Sequence, residues 1–143
     1  LGRSHLKLMD QSIGSLCSDD FMAFLPNTPP KQAIKLMIAQ EVTEAYLIDE
    51  QGIYQGKIRL VDLLANTAQK QCYVLRENNE VLLTDTDSVL QGIETCKNFV
   101  GESIPVINKD KNTLTGIITE SDLFTAYLDL NRQIRDLEAG LRS

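Results

Sequence analysis

At 143 residues the chain can bury one sizeable core but not two independent ones. Its 43% hydrophobic and 24% charged residues are those of an ordinary globular protein, which excludes wholesale disorder and fibrous repeats. A formal net charge of −6 argues against nucleic-acid binding, which needs clustered Lys and Arg to displace counterions, and no apolar run reaches the roughly 18 to 20 residues of a membrane helix.

The start, Leu1-Gly2-Arg3-Ser4-His5, has no signal-peptide core and no initiator Met. The chain therefore reads as a piece of a longer protein or as one with a foreign start, and membrane parentage stays open. His5 is the single histidine, so no second one completes a metal or catalytic set. Cys17, Cys72 and Cys96 are odd in number, far apart and without CxxC spacing, which suits plain thiols in a reducing compartment.

In chain order, a short entry strand leads to Thr28, which can cap a helix starting at Pro29-Pro30, where a missing N–H costs nothing. Ala33, Ile34, Met37 and Ile38 fall on one face of that helix. The apolar run Ala45 to Ile48, the polar turn Asp49-Glu50-Gln51-Gly52 and the alternating stretch Tyr54 to Arg59 predict a hairpin, and Leu60 to Leu64 opens a closing helix. Further on, Thr86 or Asp87 caps a helix that buries Val89, Leu90, Ile93 and Cys96. Strands from Ser103 to Asn108 and from Leu114 to Thr119 flank the turn Lys109 to Asn112.

After Asp122 the sequence stays helical, with Leu123, Tyr127, Leu130, Ile134, Leu137 and Leu141 at heptad steps. The stripe is too short to establish a coiled coil. An amphipathic helix lying on its own module, a symmetric dimer contact and docking on a further domain all remain open.

These elements form an internal repeat. Ala33-Ile34 corresponds to Gly92-Ile93 and Leu47-Ile48-Asp49 to Val106-Ile107-Asn108 at one constant offset. After one inserted residue in the second hairpin turn, Gly56, Ile58, Asp62 and Leu63 match Gly116, Ile118, Asp122 and Leu123. A lone βαββα unit of this size would leave one sheet face wet, so the two copies are expected to face each other. The predicted fold class is α/β (α+β): tandem βαββα repeats related by pseudo-twofold symmetry, with a long C-terminal helix. The expected division is an N-terminal segment over 1–20, repeat 1 over 21–66, a linker over 67–80, repeat 2 over 81–127 and a helical extension over 128–143.

Gly116-Ile117-Ile118-Thr119-Glu120-Ser121-Asp122-Leu123, preceded by Ile104-Pro105-Val106-Ile107-Asn108, and the weaker copy Gly56-Lys57-Ile58-Arg59-Leu60-Val61-Asp62-Leu63 resemble the CBS domain pair, or Bateman module. The resemblance covers about Ile13 to Tyr127. The stretch Asp122 to Leu128 looks further like the cytoplasmic tail of CLC-type chloride channels and chloride/proton exchangers, although magnesium transporters, nucleotide-biosynthesis enzymes and stand-alone sensors carry similar pairs. This resemblance implies a cytoplasmic regulatory module of an inner- or plasma-membrane protein, a homodimer, and a covalently attached transport domain outside this chain.

It also implies a site for an adenosine nucleotide (ATP, ADP or AMP), with no required cofactor. In the family pattern Gly-h-x-Ser/Thr-x-x-Asp the carboxylate takes the ribose hydroxyls, the short hydroxyl contacts ribose or phosphate, and apolar strand edges sandwich the base. That assigns Asp122 to the ribose, Thr119 to the ribose or a phosphate, and Ile117 to the base. By looser transfer, Ser15 in the entry segment Ile13-Gly14-Ser15 is a second polar contact, and Val42 and Thr43 sit near adenine. In the first copy Arg59 replaces the hydroxyl while Asp62 remains; Arg59 either pairs with Asp62 and closes that site or faces phosphates held by the other copy. The plain alternative for Thr119 and Asp122 is an N-terminal helix cap. No nucleophile has an evident base, so enzyme is the weakest class. The rival to a sensing module is a structural dimerisation domain that binds no nucleotide.

Overall fold

The computed structural model describes residues 11–142, with side chains through Gly140, so His5 and the side chain of Leu141 lie outside it. Each half builds a three-stranded mixed sheet. In the first, β1 (Ala23–Phe24) runs parallel to β2 (Glu44–Ile48), which pairs antiparallel with β3 (Tyr54–Arg59). Between β1 and β2 the chain crosses over through α1 (Pro30–Ala39), and α2 (Leu60–Ala65) follows β3. The second half repeats this with β4 (Leu83–Thr84), α3 (Val89–Thr95), β5 (Ile104–Ile107), β6 (Leu114–Ile118) and α4 (Glu120–Arg142). Even the register slip recurs, between Leu47 and Ile48 in one hairpin and between Val106 and Ile107 in the other.

The pseudo-twofold is written in backbone hydrogen bonds. At the hairpin tips Tyr54 N donates to Asn112 O (2.9 Å) while Leu114 N donates to Gly52 O (3.1 Å), a reciprocal pair across the axis. The entry segments are exchanged between halves. Ile13 N, Gly14 N and Ser18 N donate to Asp87 O, Asp85 O and Ile117 O of the second half. Their counterparts Cys72 N, Tyr73 N and Glu77 N donate to Thr28 O, Pro26 O and Lys57 O of the first.

The cores follow the same exchange. Ile13 is wholly buried among Leu83, Ile104, Val106, Ile118 and Leu123, whereas Cys72 is buried among Ala33, Met37, Leu47, Ile58 and Leu63. Neither core is complete without a segment from outside its own βαββα unit, so the halves fold as one body. Burial pushes the Cys72 and Cys96 thiols up to about 11, which leaves both protonated and unreactive at neutral pH.

The structure corrects three local expectations. Pro29, not Thr28, is the N-cap of α1, with Pro30 in the first turn, and it caps without a side-chain bond. Ser88, rather than Thr86 or Asp87, caps α3 through a reciprocal capping box with Gln91. Asp87 is otherwise engaged, its Oδ2 accepting from Thr84 N at 2.9 Å. Leu90 and Ile38, expected inside, are 42% and 56% exposed. Each directly follows or precedes a core position, and a step of about 100° carries a neighbour past the edge of a narrow buried face.

Along α4 the heptad stripe is covered by the chain itself at Leu123 and Leu130, which are buried, and half-covered at Tyr127, Ile134 and Leu137. No helix among the described residues is long and apolar enough to cross a membrane.

Candidate ligand site

The second copy's motif forms a strand end, a turn and a helix start. Ile117 and Ser18 exchange two backbone hydrogen bonds of 2.8 Å, which pins the entry segment to the edge of β6. Gly116 permits that approach, because a Cβ there would lie 2.5 Å from Ser18 O and 2.9 Å from Cys17 Sγ. Immediately beyond, Thr119 N donates to Asp122 Oδ2 (3.1 Å) and Asp122 N donates to Thr119 Oγ1 (3.0 Å). This is the reciprocal cap that the plain reading of the pair describes. Asp122 is exposed, and its second oxygen makes no hydrogen bond among the described residues.

Beside this strand end lies a cavity of about 180 Å³ between the halves. Ile117 walls it from the second copy, and Val42, Thr43 and Tyr46 wall it from the first. Sites that enclose a whole drug-sized ligand run to roughly 300–1,000 Å³, so this cavity suits one ring system rather than a complete nucleotide. Asp20, Glu41, Glu44 and Glu102 also line it, and no Lys or Arg does. The fold thus brings Ile117, Val42 and Thr43 together. Thr119, Asp122 and Ser15 are not in the wall; Ser15 is exposed, and its hydroxyl donates to Ser12 O at 2.7 Å within its own turn.

In the first copy, cavities of about 340 and 470 Å³ open on Arg59, the larger one also lined by Asp62 and Arg76. Lys57 stands where the second copy has Ile117, and it is 1% exposed. Its Nζ lies 2.9 Å from Glu44 Oε1, donates to Ser103 O at 2.6 Å, and sits over the rings of Phe99 and Tyr46. Arg59 donates to Glu77 Oε1 and to Val100 O, both at 2.7 Å, with its Nε 4.0 Å from Glu44 Oε2. Its partners are Glu77 and Glu44 rather than Asp62, and the guanidinium ties the linker to the loop before β5. Glu44 in turn accepts from Ser103 N, Ser103 Oγ and Glu102 N.

Burial alone would raise the Glu44 carboxyl. The hydrogen bond and charge of Lys57, with the amides of Glu102 and Ser103, outweigh it and hold the group below the usual carboxylate range. Tyr46 hydrogen-bonds Ser103 Oγ, and burial pushes its phenol up. Glu80 accepts from Tyr54 Oη, and burial raises its carboxyl to about 7.

Sequence reasoning found Arg59 as a departure and passed over Lys57 and Glu44. The signal was present, since Lys57 aligns with Ile117 and Glu44 with Ser103, and both lie on strands. Among the described residues, no group of His, Cys, Asp or Glu is placed to hold a metal ion.

The family model described as CBS domain matches this chain twice, over residues 13–68 and 75–129. No curated protein matches it in sequence. Among solved structures it is similar to the cystathionine beta-synthase pair domain of a candidate Mg2+ transporter from Shewanella oneidensis, at 20% identity and TM-score 0.75, covering 89% of this chain and 78% of that one. It is similar to CBSX2, a CBS-pair protein of Arabidopsis thaliana, in complex with AMP, at 21% identity and TM-score 0.68, covering 84% and 98%. A CBS domain pair in complex with 5′-methylthioadenosine and S-adenosyl-L-methionine is likewise similar, at 19% identity and TM-score 0.64, covering 82% and 95%. At such identities these likenesses establish the fold alone.

Proposed function

The chain belongs to the CBS domain family, and from that premise we propose that it is a regulatory module whose second repeat holds an adenosine-type ligand. The observation that carries this reading is the cavity walled by Ile117 from one repeat and by Val42 and Thr43 from the other. A base entering between them leaves the sugar outside, toward the strand end that bears Thr119 and Asp122. The free oxygen of Asp122 then accepts from a ribose hydroxyl while the other keeps the helix cap. Solved relatives of this fold bind AMP in one case and 5′-methylthioadenosine and S-adenosyl-L-methionine in another.

Because the cavity walls come from both repeats, a ligand there binds one relative arrangement of them better than another, which is all that regulation requires. The regulated partner is a covalently attached transporter or enzyme, and the module works as a homodimer on the cytoplasmic side. The finer likeness to CLC-type tails finds no support in the relatives described above, one of which is a candidate Mg2+ transporter.

Titration calorimetry with adenosine and its phosphates tests the reading. Asp122→Ala is expected to weaken binding on the order of 10- to 100-fold, the worth of about 1.5 to 3 kcal/mol for a hydrogen bond to a charged group. Equal heats from both proteins remove Asp122 from the site. Absence of binding at millimolar ligand removes sensing altogether and leaves a structural dimerisation domain.

A further inference from the structure

We propose that Glu80 is a proton-operated latch, which holds the linker between the repeats to the tip of the first hairpin and so sets how firmly the two repeats are joined. Tyr54 connects the parts. Its backbone N donates to Asn112 O across the pseudo-twofold (2.9 Å), beside the reciprocal bond from Leu114 N to Gly52 O (3.1 Å), while its phenol donates to Glu80 Oε1 in the linker. Just beyond Glu80 the chain enters β4 of the second repeat. A single side-chain contact therefore couples the linker, one hairpin tip and the seam between the halves.

Aligning the copies shows how unusual the contact is. Glu80 corresponds to Phe21 and Tyr54 to Leu114, so a carboxyl and a phenol stand where the duplicate has two apolar side chains. Phe21 packs edge-on against the Tyr46 ring with centroids 6.0 Å apart, and that same ring lies 6.3 Å from Tyr54. An ionised carboxylate in such surroundings is costly unless a cation pairs with it. Among the described residues, no Lys or Arg forms an ion pair with Glu80.

The titratable groups around it are the phenols of Tyr54 on β3 and Tyr46 on β2. Glu44 on β2 and Glu77 in the linker lie near the Tyr46 phenol too, but each has its own cation, Lys57 and Arg59 respectively. At the hairpin tips, Asp49 accepts from Gln51 N and Ile53 N of its own turn, and Asp110 and Lys111 are exposed. Burial raises the Glu80 carboxyl to about 7. Below that pH the group is neutral and the latch is closed; above it, an unpaired charge draws the linker toward water and loosens the tip.

The test is hydrogen exchange on the full chain, read at the Tyr54 and Leu114 amides and corrected for intrinsic pH dependence. Protection at both is expected to fall about tenfold from about pH 6 to about pH 8, with a smaller change at Ser18 and Ile117, whose seam does not involve the linker. Glu80→Gln keeps the acceptor for Tyr54 without the charge, so its tip amides should stay as protected at about pH 8 as at about pH 6. An equal fall at all four amides means that Glu80 acts on the whole fold, which overturns the latch. Loss of protection in Glu80→Gln as steep as in the unsubstituted protein overturns it too. So does a Glu80 carboxyl carbon that titrates by NMR with a midpoint below about pH 5.

Discussion

Lys57 Nζ lies 2.9 Å from Glu44 Oε1, with the two side chains 1% and 7% exposed. The ion pair also crosses between repeats, because Lys57 donates to Ser103 O and Glu44 receives the Ser103 amide. In this way β3 of the first repeat is tied to the start of β5 in the second.

Breaking one member of a buried pair strands the other charge, at a cost of about 3 to 5 kcal/mol. Glu44→Gln is therefore expected to lose on that order of stability in urea unfolding. Adding Lys57→Met should recover more than half of the loss, because the orphaned ammonium is gone and the carboxamide oxygen at position 44 still accepts from the Ser103 amide. A double variant as unstable as the single one would show that the charge pairing is not what holds the repeats here.

Glu80 supplies a pH signature. Its folded pKa is about 7 against an ordinary 4.5, so between those values the folded state keeps a proton that the unfolded chain has released. Stability is thus highest below pH 4.5 as far as this group is concerned, and falls as pH rises through 7. Glu80→Gln keeps an acceptor for Tyr54 Oη without the buried charge. It should raise stability at about pH 8 by about 1 to 3 kcal/mol and flatten the slope between about pH 5 and 7. Thermal melts across that range check it, and an unchanged slope would contradict the assignment.

Most of the architecture was legible because duplication prints the same period twice, and the strand and helix cores recur with it. What stayed hidden depended on contacts distant in sequence. Thr86, Asp87 and Ser88 are all good caps by residue type, and only the bond from Thr84 N to Asp87 shows why Ser88 takes the role. The exchange of Ile13 and Cys72 between cores carries no local pattern at all. At the site, the motif identified Thr119 and Asp122, and the same pattern describes the helix cap that these two residues form. The pairing of Lys57 with Glu44 was readable by aligning the copies, since a lysine on a buried strand demands a partner.

Gly116 tests the seam between the entry segment and β6. In Gly116→Ala the added methyl meets Ser18 O, a backbone atom that cannot rotate away. A loss of about 1 to 3 kcal/mol is expected, with faster hydrogen exchange at Ser18 and Ile117, whose amides bond each other's carbonyls. Protection unchanged at those two amides would mean that the seam yields without opening.

The two repeats differ in carrying Ile117 at one cavity wall and the ion-paired Lys57 at the matching position, and ligand stoichiometry measures that asymmetry most directly. Calorimetry with 5′-methylthioadenosine should return one ligand per chain, and Ile117→Lys, which copies the first repeat's residue into the second, should abolish it. Two ligands per chain, or full binding by the Ile117→Lys protein, would contradict the account.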